Sequence, residues 1–224
     1  YVNYGAQVSS KEKGAFKKGD VVCYEAVGNA KRFYEGKDLH RWLIEWRGLW
    51  LDYRKNEMYG PRTEELFENP KIAVRKISDK FHSIGGALDR TGMYCDDGIV
   101  LITPYSVLEK TGLMKEFLGY KKIRADVSIE YLTAHILSSL SNFYYRCKFA
   151  TESLQQATSH IYPQAVRALP VKNIPFESQK LFIDLVDQIL TITKDEDYYG
   201  NKEKQARVKE LERQIDQMIY ELYG

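Results

Sequence analysis

Cysteine is scarce: Cys23, Cys95 and Cys147 are the only three in 224 residues. An odd number spaced so widely argues against a disulfide framework and a zinc site, and fits a reducing cytoplasm. No run of eighteen apolar residues occurs, so no membrane-spanning helix is expected. The four histidines, His40, His82, His135 and His160, have no metal-ligand spacing with one another or with the cysteines. An initiating Met is missing as well. Tyr1-Val2-Asn3-Tyr4-Gly5 does not read as a signal peptide, and the chain is expected to be part of a longer protein.

A large excess of one charge is also absent, since the formal net charge is only +2. Its distribution is more informative. Residues 171–224 carry 8 Lys and Arg against 11 Asp and Glu, which leaves 25 against 20 in residues 1–170. The basic excess therefore lies in the first part, with the sign that suits a polyanion.

With 44% apolar residues the chain can build a real core. Asn69-Pro70 breaks any preceding helix, and Lys71-Ile72-Ala73-Val74-Arg75-Lys76 then alternates with period two. Ile72 and Val74 form one face of the expected strand. Lys71 and Arg75 lie on the other, with Lys76 just beyond. A strand holds such cations at fixed spacing, as a phosphate-gripping surface requires. A merely solvated outer face is the alternative.

The middle of the chain reads mostly as strand. Segments are expected at Asp20–Val27, Leu39–Trp46, Gly48–Tyr53 (a hairpin partner for the preceding strand), Phe81–Leu88 and Gly92–Thr103. Asp96-Asp97-Gly98 marks a tight turn, and Gly85-Gly86 a bend. Arg62–Phe67 reads as one or two helical turns. From Asp126 the period lengthens to three and four, which predicts one helix from about Ser128 to Arg146 with Asp126 or Ser128 as its cap. Ala150–Ser159 is loop-like, and Ile161–Arg167 a short helical turn. Phe182, Leu185, Ile189 and Ile192, then Val208, Leu211, Ile215, Met218 and Leu222, form stripes on two helices. These predict an antiparallel hairpin. The expected fold is α+β: a twisted, mostly antiparallel β-rich unit over residues 1–172 with a packed helix, then a helical hairpin over 173–224.

The elements resemble one known family. Gly36-Lys37-Asp38-Leu39-His40-Arg41-Trp42 is similar to its "G-[KR]-D-[IL]-x-R-[WY]" segment. Phe67-x-x-Pro70-Lys71-Ile72-x-Val74-Arg75 is similar to its "F-x-x-P-K-I-x-x-R" segment. Tyr131–Leu140 followed by Phe143-Tyr144-Tyr145 resembles its "L-x-x-x-LNS-x-L" helix, with Ser138 where the family usually carries Asn. Tyr162-Pro163-Gln164 and Leu169-Pro170-Val171 resemble its closing "LP-[IV]" element. The family is the TaqI-like C-terminal specificity domain, found in adenine-specific DNA methyltransferases and fused restriction–modification enzymes, and the likeness covers roughly residues 30–172.

This resemblance implies a domain that recognises duplex DNA and carries no catalysis of its own. The methylating domain, with its S-adenosylmethionine, would lie N-terminal to it in the parent protein. That domain needs an Asn-Pro-Pro-Tyr-type motif. Glu68-Asn69-Pro70-Lys71 and Thr103-Pro104-Tyr105 do not supply one and read as turns.

The expected DNA-binding set is Lys37, Arg41, Arg54, Lys55, Arg62, Lys71, Arg75, Lys76, Lys80 and Arg90, interleaved with Tyr53, Tyr59 and Tyr94. Arg54, Lys55, Arg62 and Arg90 fall on loops, where bidentate contact to guanine is easiest. Lys71, Arg75 and Lys76 are assigned to phosphates. Trp42, Trp46 and Trp50 read as core or edge packing. Two other readings stay open: a protein-interaction module working through the helical hairpin, and a nuclease built on Glu64, Glu65 and Lys71.

Overall fold

A computed structural model describes residues 1–9, 15–111, 127–150 and 158–224. In chain order it contains β1 (Val2–Tyr4), β2 (Val22–Cys23), β3 (Ala30–Tyr34), β4 (Leu39–His40), β5 (Leu43–Ile44), β6 (Trp50–Asp52) and α1 (Glu65–Glu68). There follow β7 (Lys71–Arg75), β8 (Gly86–Asp89), β9 (Tyr94–Cys95), β10 (Ile99–Ile102) and α2 (Tyr105–Thr111). The remainder is helical: α3 (Ile129–Leu137), α4 (Ser139–Phe149), α5 (Pro163–Arg167), α6 (Phe176–Thr193) and α7 (Lys202–Tyr223). The fold is α+β, as expected.

The first sheet has the order β1-β10-β7-β8 and is antiparallel throughout, with Ala73 opposite both Leu101 and Ala87. Gly86 is no mere bend. It opens β8, and a Cβ there would lie 2.3 Å from the Ala73 carbonyl oxygen. The second sheet has the order β2-β6-β3-β9, in which only the β3–β9 pair is parallel. β6 therefore pairs with β2 and β3, not with β5, which makes its own small ladder with β4. The Asp96-Asp97-Gly98 turn is present, but it hands the chain from the second sheet to the first instead of closing a hairpin.

Alternate residues of the first sheet enter different cores. Ile72, Val74, Leu88, Val100 and Ile102 pack on the helices. Ala73, Ala87, Ile99 and Leu101 pack with residues of the second sheet. The period-two reading of β7 was sound, but the face expected to be wet is covered by a second layer.

The expected long helix is two helices. Ser138 (φ −64°, ψ 157°) ends α3 and starts α4: its hydroxyl donates to the His135 carbonyl at 2.7 Å and accepts from the Ser141 amide at 3.2 Å. Ser128 caps α3, accepting from the Tyr131 amide, while Asp126 lies outside the described residues. Most of the expected 150–159 loop lies outside them too.

The helical hairpin forms as α6 and α7. Its stripes share one core with the β-rich unit, where Phe182, Leu185, Val186 and Ile189 join Tyr131, Ile136 and Ile72. Polar pins reinforce the joint. Trp42 Nε1 donates to Glu212 at 2.7 Å, Arg41 pairs with the same carboxylate, and the Thr193 hydroxyl donates to the Trp42 carbonyl at 3.1 Å. Trp42 holds a left-handed φ of 66°, fixed by these bonds and by its amide donating to the Gly86 carbonyl. Trp42 is core, and Trp46 and Trp50 make an edge-to-face pair.

Candidate nucleic-acid interface

The two-layer arrangement decides which cations can meet a ligand. Lys71 cannot. It is 0% exposed, with its ammonium 2.6 Å from Asp89 Oδ2 and donating to the Phe67 carbonyl. Its assignment to phosphate is corrected: the second sheet covers the face it shares with Ala73. Tyr94 is also removed from the interface. Its ring stacks on Phe67 in the core, and its hydroxyl donates to Glu64 or Glu68. Burial beside those carboxylates raises its pKa far above the usual phenol value. Tyr53 lies in the same core, edge-on to Tyr94.

The loop arginines are similarly committed within the protein. Arg62 donates to the Tyr4 carbonyl at 3.0 Å and braces the Tyr53 hydroxyl. Arg90 bridges Glu130 (2.5 Å) and Asp187 (2.7 Å), tying β8 to α3 and α6. Arg54 pairs with Asp52 at 2.8 Å. Arg41 is held by Glu212 and donates to the Leu137 carbonyl at 2.7 Å. The base-reading role expected of Arg54, Arg62 and Arg90 thus meets an ordinary structural use of each guanidinium. Lys55 and Tyr59 are exposed after β6, and do not line the rim described next.

Lys37, Arg75 and Lys76 do converge. They line one cavity of about 480 Å³ with Ile77, Asp96, Asp97 and His160. Arg75 emerges where β7 outruns the layer that covers Lys71. Lys76 follows, with its ammonium 4.8 Å from the centre of the Tyr4 ring and 4.0 Å from Asp97. Lys37 enters from the helical turn Gly36–Asp38 after β3, 2.7 Å from Glu35. Glu35 also meets Lys18 at 2.7 Å, and hydrogen bonds from Lys18 and Lys37 hold its carboxyl below the usual range.

The rim is a lattice of mixed charge. Asp96 accepts from the Gly98 amide to fix the turn and pairs with Lys18 at 2.5 Å. Among the described residues, Arg75 is the rim cation whose side chain has no hydrogen-bonding or acidic partner. His160 reaches the rim through an antiparallel bridge to Ile77, and the Ile161 amide donates to the Lys76 carbonyl at 2.7 Å. No local signal in the sequence brings residues 77 and 160 together.

A family model for the TaqI-like C-terminal specificity domain matches residues 31–171. The chain belongs to that family. The match runs from β3 to the end of the segment after α5, so the Lys37–Arg75–Lys76 rim lies inside the specificity domain and α6 and α7 lie beyond it. No curated protein matches the chain.

The turns resembling catalytic motifs have other work in this specificity domain. Asn69 follows α1, and its side-chain amide donates to the Glu65 carbonyl at 2.9 Å. This bond closes the end of α1. Glu64 and Glu68 engage Lys31 at 3.3 and 2.8 Å, while Lys71 is buried against Asp89. Among the described residues no group of three His, Cys, Asp or Glu side chains is arranged to hold a metal, and no helix is long and apolar enough to cross a membrane.

Proposed function

We propose that this chain recognises duplex DNA as the specificity part of an adenine-methylating restriction–modification enzyme acting in the cytoplasm. It grips phosphates at the rim formed by Lys37, Arg75 and Lys76. The observation that carries this reading is the Arg75 guanidinium, without a hydrogen-bonding or acidic partner among the described residues and set between two lysines inside the family-matched segment. A planar guanidinium with free donors is suited to a phosphate oxygen pair. The chain itself supplies recognition. Methyl transfer, with its S-adenosylmethionine, belongs to a separate domain of the parent protein, against which this unit packs.

The rival reading, an interaction module working through the helical hairpin, has less support. The apolar stripes that such a module would offer are already buried against α3 and the first sheet.

The test is a salt titration of the 224-residue chain on a labelled 30-bp duplex, followed by fluorescence anisotropy. Three phosphate contacts predict that log affinity falls against log salt with a slope of about −3. Binding without salt dependence, or no binding at all, would exclude the proposal.

A further inference from the structure

Beyond the rim the chain forms an ordered projection. Past Arg75 the backbone leaves the sheet and pairs with residues 159–161: the Ser78 amide donates to the Ser159 carbonyl at 2.9 Å, and the Ser159 amide to Ser78 Oγ at 2.8 Å. The tip is braced from within. Asp79 Oδ1 accepts from the amides of Phe81 and Ser83, both at 2.9 Å, and Asn142 Oδ1 of α4 accepts from the Ile84 amide. His82 holds a left-handed φ of 55° and is buried beneath the loop. The expected Phe81–Leu88 strand is therefore this loop followed by β8.

The loop buries Ile84 in the core and turns two other apolar side chains outward. Phe81 is 62% exposed and Ile77 48%, with Lys80 over the Phe81 ring at 5.1 Å. Tyr162, 49% exposed, stands beside His160 on the opposing segment. The loop is braced by these hydrogen bonds and still leaves most of the Phe81 ring exposed at its tip. Three residues separate Phe81 from Ile77 on the rim, so the two are at most about 14 Å of chain apart. That upper bound is comparable with the width of the major groove, about 12 Å, which keeps Phe81 within range of bases next to a phosphate held at the rim.

We propose that Phe81 is the side chain that enters the base stack, wedging at or stacking on a base displaced from the duplex. An aromatic ring stacks on any base, and insertion is easiest where a pair is already broken. This inference rests on the DNA-recognition reading.

The experiment uses the 224-residue chain and two labelled 30-bp duplexes, one intact and one carrying a single abasic site. The wild type is expected to bind the abasic duplex several-fold more tightly. Phe81→Ala is expected to lose that preference and about ten-fold in affinity for the abasic duplex, with an unchanged salt slope. Phe81→Leu, which keeps an apolar wedge, retains part of both. Arg75→Glu weakens binding to the two duplexes equally and leaves the preference intact. Thermal melts matching the wild type show that the exposed position tolerates these changes. Salt-dependent binding with no abasic preference, or a preference that survives Phe81→Ala, would overturn the wedge while leaving DNA recognition standing. Absence of binding to either duplex overturns both.

Discussion

Lys71 and Arg75 lie on the same side of one strand, four residues apart, and meet opposite environments. Removing the Lys71 ammonium leaves Asp89 buried and unpaired beside the Phe67 carbonyl. Breaking a buried pair from one side costs about 3–5 kcal/mol. Lys71→Ala should therefore lower unfolding stability by that amount in urea, where a surface phosphate ligand would lose almost nothing. His135 gives a second residue-level test. It is buried, accepts or donates at 2.8 Å to the Tyr223 hydroxyl, and burial lowers its pKa from 6.5 to about 4. Between those values the unfolded chain binds a proton that the folded chain refuses, so stability rises with pH. The contribution is complete above pH 6.5 and is lost as pH falls through 6.5 towards 4, about 3 kcal/mol in all. Urea unfolding compared between pH 7.5 and pH 4.5 should show this loss in the wild type and a smaller one in His135→Gln. An equal loss in both would remove His135 from the account.

At the scale of elements, the break at Ser138 shows where sequence reading succeeds and where it stops. The three-and-four periodicity of Ile129, Leu132, Ile136, Leu137 and Leu140 runs straight across the break, because both helices face the same core. Periodicity reports a buried face, not backbone continuity. The signal for the break was the cap: Ser138 is a residue type favoured at N-caps, and Asn is an equally good one. Ser138→Ala should destabilise the protein by about 1 kcal/mol, and Ser138→Asn by no more than a few tenths, as measured by thermal unfolding. Equal losses would mean that the hydroxyl does not cap α4. The same limit explains β4 and β5. Leu39–Trp46 alternates as one strand should, but the left-handed Trp42 folds it back on itself, and long-range bonds to Gly86, Thr193 and Glu212 hold that turn.

For the whole molecule, the α+β class, the terminal hairpin and the family were legible in pattern and motif. The usable cations were not. The ten Lys and Arg expected to contact DNA look alike in sequence, since a charge carries no mark of the layer that will cover it. Folding gives Arg41, Arg54, Arg62 and Arg90 to internal partners, buries Lys71, and gathers Lys37, Arg75 and Lys76 on one rim with Asp96, Asp97 and His160. Arg41 and Arg90 pin α6 and α7 to the specificity domain. Charges that a linear reading assigns to DNA thus hold the hairpin in place.

The central claim is that DNA is gripped at the Lys37–Arg75–Lys76 rim and not by Arg54, which lies away from it. It is tested most directly by comparing salt slopes of duplex binding for Arg75→Glu and Arg54→Ala against the wild type. The account predicts that Arg75→Glu makes the slope shallower by about one and that Arg54→Ala leaves it unchanged. A slope reduced equally by the two substitutions, or reduced by Arg54→Ala alone, would contradict it.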